Sequence, residues 1–311
     1  MLHQWNVQWL PFIVRSGVFM LLYRIVCIVF PIFAVVLVGF CYGYRYRPDM
    51  AVLNRLNMDL FFPALIFVAL AGRGFNLTDN LLLVVGCIMV CLGSGLLTWP
   101  LARMLKVDAK TLVPPTMFRN VGNMGLPLLL LTFGETALGA AVVILLVVNV
   151  LQFALAPWLL RGHFSLLAIW RQPFILAAVA GVTVSLGGIS LWPPLLSAAR
   201  LLGDISLGLM IFSLGVRLSS ARIGEMLGIG MAGAIVTPLS GMLLAWLFGA
   251  LIPLGAREMD ILFLSGALPP AVTNYIFADR YQQETDKVAA IVMIGNVSAL
   301  LFIPLALALR L

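Results

Sequence analysis

Histidine is nearly missing from this chain: His3 and His163 are its only two, and neither lies in an apolar run. No HExxH and no Ser/His pair can be drawn from them. An intramembrane or metal-dependent enzyme would therefore lack its base and its ligand set. Charge is scarce as well. Of 311 residues, 10% are charged and 62% hydrophobic, and the mean hydropathy is +1.10. A water-soluble domain cannot hide that much apolar surface, so the solvent for this chain is a bilayer. No polar stretch is long enough to form a separate module of the kind a receptor carries. The four cysteines, Cys27, Cys41, Cys87 and Cys91, sit inside apolar runs with no CxxC and no Cys/His cluster. They read as small buried side chains, and no metal or cofactor is implied.

What the chain does have is apolar runs from end to end, each near the roughly 20 residues that cross a hydrocarbon core. Ten spans are expected, at about 25–44, 56–72, 80–104, 112–134, 136–160, 172–190, 194–218, 225–251, 259–280 and 287–309. The predicted fold is an all-α membrane protein. Short charged connections join the spans, and the net charge of +7 is scattered among them. That distribution fits membrane topology and not a nucleic-acid surface. Of the 19 Lys and Arg, twelve fall in connections 1–2, 3–4, 5–6, 7–8 and 9–10, and six in the other connections and the termini. The bias predicts a multi-pass inner-membrane protein with both termini on the extracytoplasmic side. Residues 1–23, interrupted by Arg15, are expected to be an extension, interfacial or dispensable.

The two halves of the chain overlay. PIFAVVLVG (31–39) pairs with PFILAAVAG (173–181), and DLFFPALIF (59–67) with DISLGLMIF (204–212). SGLL (94–97) pairs with SGML (240–243), Pro127 with Pro269, and NVLQFALAP (149–157) with NVSALLFIP (296–304). The offsets drift only from 142 (173 − 31) to 147 (296 − 149). Five spans per repeat is an odd number, so 25–160 and 172–310 would sit in the membrane with opposite orientation. Inverted repeats of this kind frame alternating access in secondary transporters.

The fourth and ninth spans carry what a membrane helix normally avoids. FRNVGNMGLP (118–127) holds Arg119, Asn120, Gly122, Asn123, Gly125 and Pro127. SGALPPAVTN (265–274) holds Pro269, Pro270, Thr273 and Asn274. Proline removes a backbone donor and glycine lets the chain bend, so both helices are expected to break here. Irregular backbone at this depth must be buried in protein or line a wet cavity. Each break starts a half-helix whose positive end faces the midplane, and two such ends meeting would make an anion site. Asn123, Asn274 and Thr273 would orient the ligand. The plainer alternative is a kinked helix whose Asn side chains cap freed carbonyls.

The N-x-G-N-x-G-x-P run of span four, the double proline of span nine, the ten-span arrangement and N-x5-P-A-L-I-F (57–67) together resemble the auxin efflux carrier family, over residues 25–310. The resemblance implies that helices 4 and 9 are broken at prolines and cross at the midplane substrate site. It implies a scaffold from spans 1, 2, 6 and 7 (25–72, 172–218) that forms a homodimer, and a moving domain from spans 3–5 and 8–10 (80–160, 225–309). The long cytoplasmic loop of the plant members is absent, since 161–171 is only RGHFSLLAIWR. That points to the short bacterial members, proposed to carry malonate or malate.

Charges within spans carry functional hypotheses. Asp59 and Asp204, at matched repeat positions, are candidates for proton coupling or simply favour a helix start. Arg119 either draws in an anion or snorkels to the interface. Asn149 and Asn296 either line the crossing or bond to neighbouring helices. Gly39, Gly43 and Gly241 read as packing residues. The expected function is a secondary carrier for small organic anions, dicarboxylates among them. The alternative is an anion channel or uniporter using the same crossing.

Overall fold

The computed structural model describes residues 17–71, 80–162, 169–219 and 226–311. These residues are helical throughout, with no strand among them beyond one isolated bridge. Helix α1 runs Gly17–Tyr46. Helix α2 (Ala51–Leu56) passes through a π-helical turn, Asn57–Phe61, into α3 (Phe62–Ala71). Helix α4 covers Leu81–Met104 and α5 covers Ala109–Met117. A second π-helical turn, Val121–Gly125, leads into α6 (Leu126–Phe133), and α7 covers Leu138–Arg161. The second half runs through α8 (Pro173–Leu186), α9 (Pro193–Ser219), α10 (Leu227–Leu251), α11 (Ala256–Gly266), α12 (Thr273–Arg280) and α13 (Thr285–Arg310).

Seven of the expected spans are helices long and apolar enough to cross a membrane: the first, second, third, fifth, seventh, eighth and tenth. The sixth is the 14-residue α8, which at about 1.5 Å per residue reaches only about 21 Å. The fourth and ninth are pairs of short helices, α5 with α6 and α11 with α12. The described part of the N-terminal extension, from Gly17, continues directly into α1. Residues 1–16, including His3 and Arg15, lie outside the described residues, as does His163.

Proline alone does not break these helices. Pro31, Pro100, Pro157, Pro238 and Pro304 all sit inside long continuous helices. The first break falls at Phe118–Asn120, which contains no proline, and Pro127 lies beyond it in the first turn of α6. A helix start needs no donor there, so Pro127 supports α6 rather than ending α5. The expectation that proline makes the first break is thereby corrected. The second break, 267–272, does contain Pro269 and Pro270.

Lipid is as apolar as leucine, so helix association must come from close packing and polar ties. The most extensive contacts are α1 on α9, α10 on α13, α3 on α8 and α4 on α5. Between α1 and α9 the fit is reciprocal: a methyl on Gly39 would run into the Phe212 carbonyl, and one on Gly215 into the Val36 carbonyl. Polar ties gather the helix ends into two sets. At one end, Lys110 Nζ donates to Leu160 O (3.1 Å), Arg161 Nη2 to Tyr281 O (3.1 Å) and Thr111 Oγ1 to Glu284 Oε2 (2.6 Å). At the other, Arg257 Nη2 donates to Phe133 O (3.3 Å) and Arg310 Nε to Asp260 Oδ1 (2.6 Å).

Candidate functional site

The two helix breaks lie against each other. Asn120 N–H donates to Pro269 O (2.8 Å) and Ala271 N–H to Phe118 O (2.9 Å), an antiparallel bridge that pairs Arg119 with Pro270. Each break thus supplies partners that the other lost on leaving the helix, as buried backbone requires. Side chains complete the accounting. Asn296 Nδ2 donates to Pro270 O (3.1 Å), and its Oδ1 accepts from Asn120 Nδ2 (2.8 Å). Asn274 Nδ2 donates to Phe118 O and Ala271 O (2.9 Å each), and its Oδ1 accepts from Gln152 Nε2 (3.0 Å). Gln152 Oε1 in turn accepts from Thr273 Oγ1 (2.8 Å).

Arg119 neither snorkels nor opens onto a cavity. It is 3% exposed. Its Nε donates to Gly266 O (3.0 Å), Nη1 to Met117 O (3.3 Å), and Nη2 to Ser94 Oγ (2.8 Å), Thr237 O (3.0 Å) and Ser240 Oγ (3.4 Å). Met117 and Gly266 are the last residues of α5 and α11, so the guanidinium sits at the negative ends of both half-helices. Gly241 makes room for it: a methyl there would meet Arg119 Nη2 at 2.5 Å and collide with Gly266 O.

The positive ends lie on a cavity of about 270 Å³, small for a ligand pocket. Asn123, Val272 and Thr273 line it from the breaks. Asn54, Asn57 and Met58 line it from α2 and the first π-helical turn, and Met210, Ser213, Leu214 and Arg217 from α9. Phe153 of α7 and Phe277 of α12 form an aromatic wall, edge to face at 5.5 Å. Arg280 completes it, exposed, with its guanidinium 5.9 Å over the Tyr281 ring. The lining residues include two guanidiniums and no carboxylate. Two of their atoms, Asn57 Oδ1 and Ser213 Oγ, are buried without a hydrogen-bond partner.

The residues singled out in the sequence therefore divide. Asn123 and Thr273 line the cavity. Asn120, Asn274, Pro269 and Pro270 build the bridge behind it. Gly125 is packed against Leu268 Cδ1, 2.6 Å from where a Cβ would stand, whereas Gly122 has room for one. Asn149 Nδ2 donates to Leu145 O of its own helix (2.9 Å), unlike its repeat partner Asn296. Asp59 is exposed, with Arg55 Nε at 3.7 Å, and Asp204 is exposed on α9; neither lines the cavity. The backbone donors expected to await an anion are partly used: Asn123 N–H donates to Asn120 Oδ1 (3.3 Å) and Asn274 N–H to Ala271 O (3.1 Å). The cavity's positive charge comes instead from Arg217 and Arg280, which the sequence reading had assigned to topology alone. Asn57 heads the span-two motif that carried the family resemblance, so one signal for this wall was present.

Comparison with known proteins agrees with that resemblance. A family model described as "Membrane transport protein" matches residues 24–162 and 158–307. The uncharacterized transporter YfdV of Escherichia coli K12 is 23% identical over 283 residues, covering 82% of this chain and 88% of its own. The proteins of the same name from Escherichia coli O157:H7 and Shigella flexneri match to the same extent. With both halves of its length matched, and helices built for a bilayer, the chain belongs to the membrane transport protein family, a multi-pass group that includes the auxin efflux carriers.

Proposed function

We propose that this protein is a secondary carrier for a small organic anion, bound in the cavity between the bridged breaks and α2–α9. The observation that carries this reading is the lining itself: two guanidiniums, Asn123 and Thr273 with no opposing carboxylate, against an aromatic wall. Arg217 holds the carboxylate in this reading, Asn123 and Thr273 orient it, and Arg280 draws anions to the mouth.

The architecture we propose is ten membrane segments in two inverted fives, with the fourth and ninth crossing near the midplane. The cavity divides its lining between the two expected groups. Asn54, Asn57, Met58, Met210, Ser213, Leu214 and Arg217 belong to the scaffold (25–72, 172–218). Asn123, Phe153, Val272, Thr273, Ile276, Phe277 and Arg280 belong to the moving domain (80–160, 225–309). A ligand at such a seam changes sides when one group slides against the other, as in an elevator. Asn54, Arg217 and Arg280 lie close to connections rich in Lys and Arg. The cavity is thus placed toward the cytoplasm, with both chain ends outside. The scaffold also forms the homodimer in this reading, and Asp59 and Asp204 are its candidates for proton coupling.

The test is transport current from purified protein in proteoliposomes on a solid-supported membrane, with malonate, malate, succinate, lactate and indole-3-acetate at two pH values. A saturable current for one anion is expected. Asn123→Ala should weaken its apparent affinity about 10- to 100-fold, the loss of one hydrogen bond to a charged group. Folded protein that gives no current with any of them would overturn the proposal.

A further inference from the structure

We infer that the anion this cavity recognises carries a hydroxyl group beside its carboxylate, so that hydroxycarboxylates are preferred over their deoxy counterparts. The inference rests on the carrier reading above and goes on to the chemistry of the ligand. It comes from the two orphaned polar atoms, which the proposed carboxylate site leaves unused.

Asn57 is 6% exposed, and its Oδ1 is buried without a partner. A buried amide oxygen left alone costs about 1–3 kcal/mol, so a native structure keeps one only for a reason. This oxygen belongs to a residue that lines the cavity, as does the second orphan, Ser213 Oγ. Asn57 is placed there by the π-helical turn Asn57–Phe61. Such a turn is rare, and it commonly marks a functional site. An amide oxygen can only accept. An ionised carboxylate can also only accept, so a simple anion cannot satisfy Asn57. A hydroxyl supplies the donor that is missing, and its own lone pairs can take the Ser213 proton. One ligand with a carboxylate toward the guanidinium and a hydroxyl toward Asn57 and Ser213 uses every polar group on this wall. A site built around a hydrogen bond to a hydroxyl rejects the analogue without it strongly, because its own polar groups then stay unpaired.

Matched pairs test this directly in the same proteoliposomes: malate against succinate, and lactate against propionate. Each pair differs by one hydroxyl. The hydroxylated member should show an apparent affinity about tenfold or more above its partner. Asn57→Leu should remove most of that preference by weakening the hydroxy acid, while leaving the deoxy acid nearly unchanged. Ser213→Ala should reduce the preference by a smaller factor. Equal handling of both members by the wild-type protein would overturn the inference while leaving the carrier reading intact, and that measurement needs no variant to fold. A preference that survives undiminished in Asn57→Leu, in protein with unchanged melting, would also overturn it. Absence of any anion transport by folded protein would instead bring down the carrier reading, and this inference with it.

Discussion

At the residue scale, the sequence pointed to the right neighbourhood and in part to the wrong roles. FRNVGNMGLP marked the break because membrane helices rarely carry Arg, Asn and Gly together. Which of these residues faces a ligand depends on contacts from distant helices. Asn120 and Asn274 are committed to backbone and side-chain partners, and Asn123 is the one on the cavity. Gln152, one helical turn beyond the expected Asn149, holds both Asn274 and Thr273, and no periodicity distinguishes the two positions. Arg119 shows the limit best. Its donors reach Ser94, Met117, Thr237, Ser240 and Gly266, four of them far away in sequence. Its role is to satisfy two helix ends and tie α4 and α10 to the break. Arg119→Met should therefore destabilise the fold by on the order of 3 kcal/mol, since several buried acceptors lose their donors together. Arg119→Lys keeps the charge but reaches fewer acceptors and should fall between. Thermal melting in detergent measures both, and an unchanged midpoint for Arg119→Met would contradict this role.

At the scale of elements, the long helices were legible because lipid imposes length and apolarity on each independently. The breaks were legible as regions but not as positions. Proline was the expected cause, yet five long helices absorb one, and the first break contains none. It is held by the bridge to 269–271, a tertiary interaction with no local signature. The two π-helical turns were equally hidden, although each presents an Asn to the cavity, Asn57 and Asn123. The start of α13 offers a test of a different kind. Glu284, with φ at +34°, packs its carboxylate between Thr111 and Lys287. Burial pushes its carboxyl upward. The hydrogen bonds from Lys287 and Thr111 and the Lys287 charge outweigh that, holding it below the ordinary carboxylate value. A depressed folded-state value means the stabilisation is present above the unfolded value, about 4.3, and is lost as pH falls through the folded one. Wild-type protein should melt higher than Glu284→Gln at neutral pH, and the gap should close on acidification below about pH 4. A gap that persists at low pH would count against this contact as the source.

At the scale of the whole molecule, the account turns on the cavity lying at a seam. Its lining comes in equal share from helices of the proposed scaffold and from those of the proposed moving domain, with the bridged breaks on the moving side. The buried ties described above bind the breaks to α4, α7, α10, α11 and α13, and none of them crosses to α1 or α9. That pattern suits a body that shifts as a unit with its ligand, whereas a channel needs a continuous path and no such unit. Carrier and channel differ in one behaviour. A carrier loaded on one side with unlabelled substrate returns faster and drives labelled substrate uphill for a time, and a channel does not. Counterflow in proteoliposomes is therefore the measurement to make. Vesicles preloaded with the anion that gives current, then diluted into a trace of labelled anion, should show a transient overshoot, and Arg217→Gln should abolish it. Labelled anion that merely equilibrates without an overshoot, in protein that conducts it, would contradict the account.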